Sequence, residues 1–337
     1  AMKTTFLKTI PLIICISIHL HITGQTPDND PHWELDLFDS FDSINENIWE
    51  LPTNDYGPKE ASLELLLRSN IYTENGNLIF RAKREDSLMH IDYENDTTYF
   101  NYSSGSINLR RFYQRRYGYI ESRIKLPYGK GYFPAFWTWA PAYYPHQNAG
   151  EIDIFEMIGG KYPSTVMGTN VHLSYEPNPV NYPLNVSISN YTYYHVYAIE
   201  WNPSKIIWYV DGKMVRNMVN PGIIDSVMII LNFAIYPFDP HYKPDDNTPF
   251  PAYMYIDYVN IYHLKEDRTG IINACNYNFD LYDNRVKRNI TIGGQGCGNT
   301  IENGKNITLR AAEFIQINGE FTVEPGAEFY MDVNEFY

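Results

Sequence analysis

Three carboxylates stand within six residues of the chain, in the segment Glu-Ile-Asp-Ile-Phe-Glu at positions 151–156. The apolar residues between them favour a β-strand, where charged side chains are uncommon unless they have a partner or a function. Side chains alternate between the faces of a strand, so Glu151 and Asp153 point the same way and Glu156 would point the other way. A β-bulge between Asp153 and Glu156 would return Glu156 to their face. We therefore expect three acids along one face of a bulged strand.

Carboxylates held this close can divide acid and base roles between them. Cleavage of a glycosidic bond typically uses two Asp or Glu residues, and placing both on one strand predicts a separation of about 5–5.5 Å and retention of configuration. Asp153, between the two glutamates, would push their pKa values apart. The alternatives are an exposed acidic strand or a cation site. The flanking Ile152, Ile154 and Phe155 argue against exposure, and three acids alone would supply few ligands for a cation.

The pattern Glu-x-Asp-x-x-Glu, preceded by Gly150, resembles the signature of glycoside hydrolase family 16, in the branch whose motif has the longer spacing of a bulged strand. Laminarinases, agarases, porphyranases and κ-carrageenases belong to that branch. Five further segments resemble strands of the family in the expected order, namely 117–127, 131–137, 195–201, 207–212 and 256–262. The resemblance covers the chain from Trp33 to Leu264. It implies an all-β jelly-roll sandwich of two antiparallel sheets with an open substrate cleft.

The same resemblance implies a role for each acid. Glu151 would be the nucleophile, Glu156 the acid/base, and Asp153 would keep both in suitable protonation states. No cofactor is required for this chemistry. A structural calcium ion is common in the family, and Asp257 lies in a strand that resembles one supplying a ligand, whereas Ser40 stands where relatives often have Glu.

Several other residues are candidates for binding a sugar chain. Trp137 and Trp139 share one face of their strand and could stack on sugar rings, or they could pack in the core. The resemblance favours Trp137 near the cleaved bond. Phe133 stands where laminarinases often carry Trp. His172 and Asn232 match positions that face the cleft in the family, although a lone His is more often structural.

Phe133 is the first departure from the laminarinase pattern, and residues 235–239 are the second. Residues 235–239 replace a turn that resembles Gly-Gly-Asn-Trp in laminarinases. Four arginines also fall within seven residues, and their planar guanidinium groups suit sulfate or carboxylate groups, so Arg110 is a candidate substrate-binding residue. The alternative is that the arginines lie on a solvated strand and turn and form ion pairs with surface acids. The four residues are Arg110, Arg111, Arg115 and Arg116.

Composition sets broader limits. The length of 337 residues suits one large β domain and one small additional unit, and 44% hydrophobic residues are enough for a core. Short β-branched and aromatic runs predict strands, and Asp211-Gly212 predicts a two-residue hairpin. Aromatic residues reach 16%, with 30 Tyr, which fits a surface that stacks on sugars. The net charge of −14 argues against a nucleic-acid partner.

The N-terminal segment is typical of a secretory signal peptide. Lys3 and Lys8 precede an apolar stretch at 10–20 that is too short to span a membrane, and Gly24 offers a cleavage point before Gln25. We therefore expect a secreted, periplasmic or cell-surface bacterial protein, monomeric and without a membrane span after cleavage. The expected divisions are a signal peptide at 1–24, a catalytic jelly-roll at 25–267 and a small β-rich module at 268–337.

The C-terminal seventy residues differ in pattern from the rest. Short strand-forming runs punctuated by glycine predict stacked β-hairpins or a short solenoid. Cys275 and Cys297 remain after removal of the signal, and in an exported protein they predict one disulfide, with two buried thiols as the alternative. The function of this module could be spacing, stabilisation or binding.

These observations predict a secreted retaining endo-β-glycanase. The leading substrate class is β-1,3- or mixed-linkage glucan. A β-linked galactan (agar, porphyran, carrageenan or mucin-type chains) is the alternative, which Phe133, residues 235–239 and the arginines keep open. A non-catalytic carbohydrate-binding protein is less favoured because all three acids are present. A transglycosylase would share the mechanism and differ in its acceptor.

Overall fold

The computed structural model describes residues 27, 33–53, 63–92, 95–110, 114, 117–140, 149–174, 180–202, 205–223, 225–264, 266–279 and 286–333. The predicted signal peptide lies outside the described residues, as do Arg111, Arg115 and Arg116. Two short 3₁₀ turns, Arg68–Asn70 and Pro240–Tyr242, occur in the described part, and its other regular elements are β-strands. The prediction of an all-β fold is confirmed.

The strands are numbered in chain order. They are β1 (Trp33–Asp39), β2 (Trp49–Glu50), β3 (Glu64–Leu66), β4 (Ile71–Glu74), β5 (Asn77–Ile91), β6 (Thr97–Ser104), β7 (Ser106–Leu109), β8 (Gly118–Lys125), β9 (Tyr132–Ala140), β10 (Ala149–Glu156), β11 (Val166–Ser174), β12 (Val180–Asn181), β13 (Leu184–Ser187), β14 (His195–Trp201), β15 (Lys205–Val210), β16 (Lys213–Val219), β17 (Met228–Ile235), β18 (Ala252–Leu264), β19 (Glu266–Ala274), β20 (Val286–Ile301), β21 (Asn306–Val323) and β22 (Glu328–Val333).

Two large sheets form the body of the described chain. The first follows the order β16-β15-β14-β8-β18-β5-β6-β3, with β1 on β18 and β4 on β5. The second follows the order β12-β11-β10-β9-β17-β7-β2, with β13 on β11. We call them the outer sheet and the site sheet. The predicted Asp211-Gly212 hairpin joins β15 to β16, and both residues have the positive φ, 51° and 72°, that such a turn requires.

One apolar core lies between these two sheets. It contains large side chains from both, and burying each fully contributes about 1.5–3 kcal/mol. Alternation along β9 shows how the site sheet separates its faces, because Phe136 and Ala140 enter the core while Trp137 and Trp139 do not. The site sheet thus turns one face to the core and leaves the other for ligands. Fully buried members of the core include Trp49, Phe80, Phe136, Trp201, Trp208 and Phe233.

The four C-terminal strands form a separate sheet in the order β19-β20-β21-β22. All three pairings are parallel, as between Asn306 and Glu328, so the module is a short solenoid rather than a stack of hairpins. It has its own apolar cluster around Ile290, Ile292 and Leu309. The predicted disulfide between Cys275 and Cys297 is present, with Cα atoms 5.3 Å apart.

Candidate active site

Strand β10 carries the three acids at the centre of the site sheet, between β9 and β11. Its register shifts between Asp153 and Glu156 against both neighbours, so the predicted bulge is confirmed. Ile152, Ile154 and Phe155 are buried in the core at 0%, 1% and 0% exposure. Two consecutive core residues, 154 and 155, are what the bulge produces, and they leave Glu156 on the same face as Asp153.

Strands β9 and β17 place aromatic and amide side chains beside the acids. Trp137 pairs with Asp153, and Trp139 pairs with Glu151. The indole Nε1 of Trp137 donates a hydrogen bond to Oδ1 of Asn232, at 2.8 Å. Trp139 is 38% exposed, and neither Trp belongs to the core between the sheets. Core packing is therefore not their role, and both lie on the open face with the acids.

His172 lies on β11, which neighbours β10 on the side opposite β9, and it pairs with Glu151. Its side chain contacts the acids. Its Nε2 is 3.0 Å from Oδ2 of Asp153 and 3.6 Å from Oε1 of Glu151. Its Nδ1 is 2.7 Å from Oδ1 of Asn181, a residue with no recognisable signal in the sequence. These contacts hold the imidazole between an amide and the carboxylates, so His172 is part of the site.

The electrostatics of the site favour shared protons. Burial raises the pKa of Glu156 to about 6, and the charge of Glu151 adds to the shift. Burial also raises the pKa of Asp153 well above its usual range, with the charge of Glu156 acting in the same direction. Burial raises the pKa of Glu151, while the His172 charge opposes this shift. Three adjacent acids cannot all ionise easily, so a proton is retained near neutral pH.

The remaining oxygen of Asp153 explains where that proton can sit. Its Oδ1 is buried and has no hydrogen-bond partner among the described residues. Interaction with the Asp153 side chain lowers the pKa of both Glu151 and Glu156, against the larger effect of burial. A proton on Asp153 has this effect, because a protonated carboxyl group can donate a hydrogen bond to an ionised glutamate and an ionised one cannot.

His172 supplies positive charge to the same group. Burial disfavours the imidazolium, but the hydrogen bond to Asp153 and the charges of Asp153 and Glu151 outweigh it and raise the pKa of His172 to about 9. The side chain is therefore protonated at neutral pH. A cation beside two of the acids stabilises their ionised forms.

Two groups of residues bear on metal binding. Glu151, Asp153 and His172 each offer a ligand atom within 4.8 Å of the others, but the same atoms form the hydrogen-bonded group described above. Asp257, the candidate ligand of a structural calcium ion, forms an ion pair with Arg123, and Ser40 donates to Asp42. A structural calcium ion at these residues stays a prediction.

The two predicted departures from the laminarinase pattern meet in space. The ring of Phe133 lies 5.3 Å from the ring of Tyr236, and Tyr236 lies 5.5 Å from Phe238, both with edge-on geometry. Tyr236 is also close enough to Glu156 for the carboxylate charge to help raise its pKa, after burial. An aromatic cluster of Phe133, Tyr236 and Phe238 therefore lines the Glu156 end of the cleft.

Arg110 follows β7 at the other side of the site sheet. Its Nε donates to the backbone oxygen of Glu46, at 2.6 Å. This contact directs part of the guanidinium towards the loop before β2 rather than towards the acids. The structure therefore does not bring Arg110 together with Glu151, Asp153 and Glu156.

A sandwich of this kind, with three acids on a bulged central strand, defines a glycoside hydrolase. The chain belongs to glycosyl hydrolases family 16, whose sequence model matches residues 67–237. The β-glucanase of Rhodothermus marinus is 30% identical over 291 residues, which cover 78% of this chain and 95% of that protein. The predicted family is confirmed, and the chain is an endo-β-glycanase.

Two further proteins are similar to this chain. The clotting factor G alpha subunit of Tachypleus tridentatus is 29% identical over 272 residues, which cover 74% of this chain and 37% of that larger protein. The structure of the catalytic domain of an endo-1,3-β-glucanase (laminarinase) from Thermotoga petrophila matches with a TM-score of 0.57 and 28% identity. That match covers 69% of this chain and 99% of the solved structure. No helix in the described part of this chain is long and apolar enough to cross a membrane.

Proposed function

We propose that the protein hydrolyses internal bonds of β-1,3- or mixed-linkage glucans with retention of configuration. The observation that carries the mechanism is the bulge in β10, which puts Glu151, Asp153 and Glu156 on one face. Two acids on one strand suit the short separation of a retaining enzyme. The β-glucanase and laminarinase relatives support the substrate class.

In the proposed first step, the carboxylate of Glu151 attacks the anomeric carbon while Glu156 protonates the leaving oxygen. The C–O bond to the leaving sugar breaks, and a covalent glycosyl-enzyme forms. Glu156, now ionised, then removes a proton from water, which attacks the same carbon and releases Glu151. Asp153 and His172 keep the two glutamates in opposite protonation states.

The aromatic residues on the open face would hold the polysaccharide. Trp137 is fixed by its bond to Asn232 and lies level with Asp153, so it suits the sugar next to the cleaved bond. Trp139 lies level with Glu151 and exposes its ring. A face with several aromatic positions can bind several sugars in a row, which favours internal cleavage.

We expect Trp139→Ala to raise KM for the polysaccharide by about 5-fold, which corresponds to about 1 kcal/mol of lost stacking. The kcat value should stay within about 2-fold, because stacking on a sugar ring stabilises the bound substrate and the transition state equally. Steady-state kinetics measure both constants. Met214→Ala is the matched control, since it removes a similarly exposed apolar side chain from the outer sheet. An unchanged KM in Trp139→Ala would contradict the stacking role.

The pH profile tests the proposed acid/base. With a pKa of about 6, Glu156 remains protonated up to that pH, so kcat/KM should fall on the basic side near pH 6. The imidazolium of His172 lowers the pKa of both Glu151 and Glu156, so His172→Asn should move both limbs of the profile to higher pH. His263→Asn, on the outer sheet, is the control and should leave the profile unchanged. A profile that moves down, or not at all, in His172→Asn would contradict this assignment.

A β-linked galactan is the second candidate, and one observation favours it. The cluster of Phe133, Tyr236 and Phe238 joins both departures from the laminarinase pattern at one end of the cleft. A changed subsite can accept a different sugar. Arg110, however, bonds to Glu46 and gives no support for recognition of an anionic galactan.

The deciding experiment compares release of oligosaccharides from laminarin, mixed-linkage glucan, agarose, porphyran, κ-carrageenan and mucin. The protein from Gln25 onward and its Glu151→Gln variant are assayed together. We expect products from the glucans that the variant does not release. Products only from a galactan would replace the substrate class, and binding without products would indicate a carbohydrate-binding protein. An added sugar acceptor reveals whether transglycosylation competes with water.

We also propose that the protein acts as an exported monomer of a bacterium. The signal-like segment at 1–24 supports export, and the disulfide between Cys275 and Cys297 suits an oxidising compartment. The C-terminal solenoid is proposed as a spacer or stabilising module after the catalytic domain, with the division near residue 267.

A further inference from the structure

A buried arginine of the outer sheet contacts β11, the strand that carries His172. Arg216, on β16, is only 9% exposed. Its Nη1 donates to Oγ1 of Thr169 at 2.8 Å, and its Nη2 donates to the backbone oxygen of Tyr182 at 2.6 Å. Its guanidinium also stacks on Trp208, with Cζ 4.4 Å from the ring centre. Buried arginines are uncommon without a carboxylate partner, yet these acceptors are neutral.

One line of contacts leads from Arg216 to the bulge. Trp208 is fully buried, and its indole Nε1 donates to the backbone oxygen of Asp153 at 2.9 Å. Asp153 is the residue at which the register of β10 begins to shift. The stacked guanidinium limits how the indole can tilt, so it helps to fix this carbonyl and the backbone that aims the Asp153 side chain.

A second line leads from Arg216 to His172. The guanidinium holds the carbonyl of Tyr182, while the amide of Tyr182 donates to Oδ1 of Asn170 at 3.0 Å. The residue before Tyr182 is Asn181, whose Oδ1 contacts His172. Arg216 therefore fixes the segment that orients the imidazole.

We propose that Arg216 is a positioning residue for the reaction, acting through Trp208 on Asp153 and through Tyr182 and Asn181 on His172. It does not touch the substrate. This inference rests on the proposed roles of the acids and adds a residue on the outer sheet to the apparatus. Both sheets therefore contribute to the reaction, because the outer sheet fixes the position of the strand that carries the reacting acids.

The charge of Arg216 provides a readout that a purely structural role would not change. The charged and titratable groups around Asp153 are Glu151 and Glu156 on β10, His172 on β11 and Arg216 on β16. Arg216 interacts electrostatically with Asp153, so loss of its charge disfavours ionisation of the coupled group that Asp153 forms with the two glutamates. The acidic limb of the rate profile, which reports the first ionisation of that group, should then move to higher pH.

The test compares Arg216→Met with Arg216→Lys by kinetics across pH. Arg216→Met should lower kcat by up to roughly 100-fold, as expected for misplaced reacting groups, with KM within about 2-fold. Its acidic limb should move up. Arg216→Lys keeps the charge but cannot make the paired bonds and the stack, so kcat should fall while the acidic limb stays in place.

Two further variants separate the two lines of contact and guard against misfolding. Trp208→Phe removes the donor to Asp153, and Thr169→Val removes an acceptor of Arg216, so each should lower kcat with the acidic limb unchanged. Ile206→Val is the matched control, because it shortens a buried side chain of β15 without removing any of these contacts. If Arg216→Met does not fold, Trp208→Phe and Thr169→Val decide.

If the folded variants have the normal kcat and the normal limbs of the pH–rate profile, the positioning role is wrong. An equal loss of kcat in Ile206→Val would also overturn it, because the effect would then be one of stability. Failure of the proposed function looks different, since Glu151→Gln would then retain activity. An inactive Glu151→Gln with unaffected Arg216 and Trp208 variants would leave the proposed function intact and remove only this inference.

Discussion

Replacing Glu151 with Gln should abolish hydrolysis. We expect kcat to fall by at least about 1,000-fold, because an amide cannot form the glycosyl-enzyme and no neighbouring group replaces it. Asp153 is buried at 1% exposure and is held by His172, so it cannot reach the anomeric carbon in place of Glu151. Release of oligosaccharides from the preferred polysaccharide measures the effect.

The fold should survive this substitution. Gln is nearly isosteric with Glu, and removing one of three adjacent like charges relieves repulsion, so the melting temperature should not fall. Glu74→Gln is the control, because Glu74 is exposed on β4 of the outer sheet and should leave activity unchanged. Mass spectrometry of the wild type with a 2-fluoro glycoside should show an adduct on Glu151. An adduct on Glu156 would reverse the two roles.

The catalytic strand could be predicted because its information is local. Three acids, their apolar neighbours and the parity of their spacing lie within 151–156, and these fix both the face and the need for a bulge. The same parity places Trp137 and Trp139 on one face of β9. It does not say which face meets the core, and the pairing of Trp139 with Glu151 settles that point.

The supporting residues could not be predicted because their contacts are distant in sequence. Trp208 reaches Asp153 across 55 positions, and Arg216 reaches Thr169 across 47. In the sequence, Trp208 is one aromatic residue of a strand, and Arg216 is one cation after a hairpin. Only the packing of the outer sheet on the site sheet gives them a role.

The C-terminal module shows a different limit. Short strands separated by glycines are compatible with antiparallel hairpins and with parallel coils, since both repeat a strand and a turn. The distinction lies in which strand each residue pairs with, and the parallel partners Asn306 and Glu328 belong to successive coils. The disulfide was easier to predict, because two cysteines allow one pairing.

Replacing Glu156 with Ala should produce a loss that depends on the leaving group. On polysaccharide, kcat should fall by about 100- to 10,000-fold, because the leaving sugar is a poor leaving group without a proton donor. On an aryl glycoside with an acidic phenol, the first step needs no donor and should proceed at nearly the normal rate. The glycosyl-enzyme then accumulates, since no base activates water, and a burst of phenol should precede a slow steady state.

Azide distinguishes this loss from general damage to the site. A small anion can occupy the space left by the carboxylate and attack the glycosyl-enzyme without a base, so azide should restore turnover of the aryl glycoside in Glu156→Ala. The product should be a glycosyl azide of retained β configuration. Glu151→Ala is the matched comparison, because azide attacking the intact substrate there would give the inverted α product. Retained product from Glu151→Ala and inverted product from Glu156→Ala would show that the two glutamates have exchanged roles, whereas no rescue in either variant would contradict both assignments.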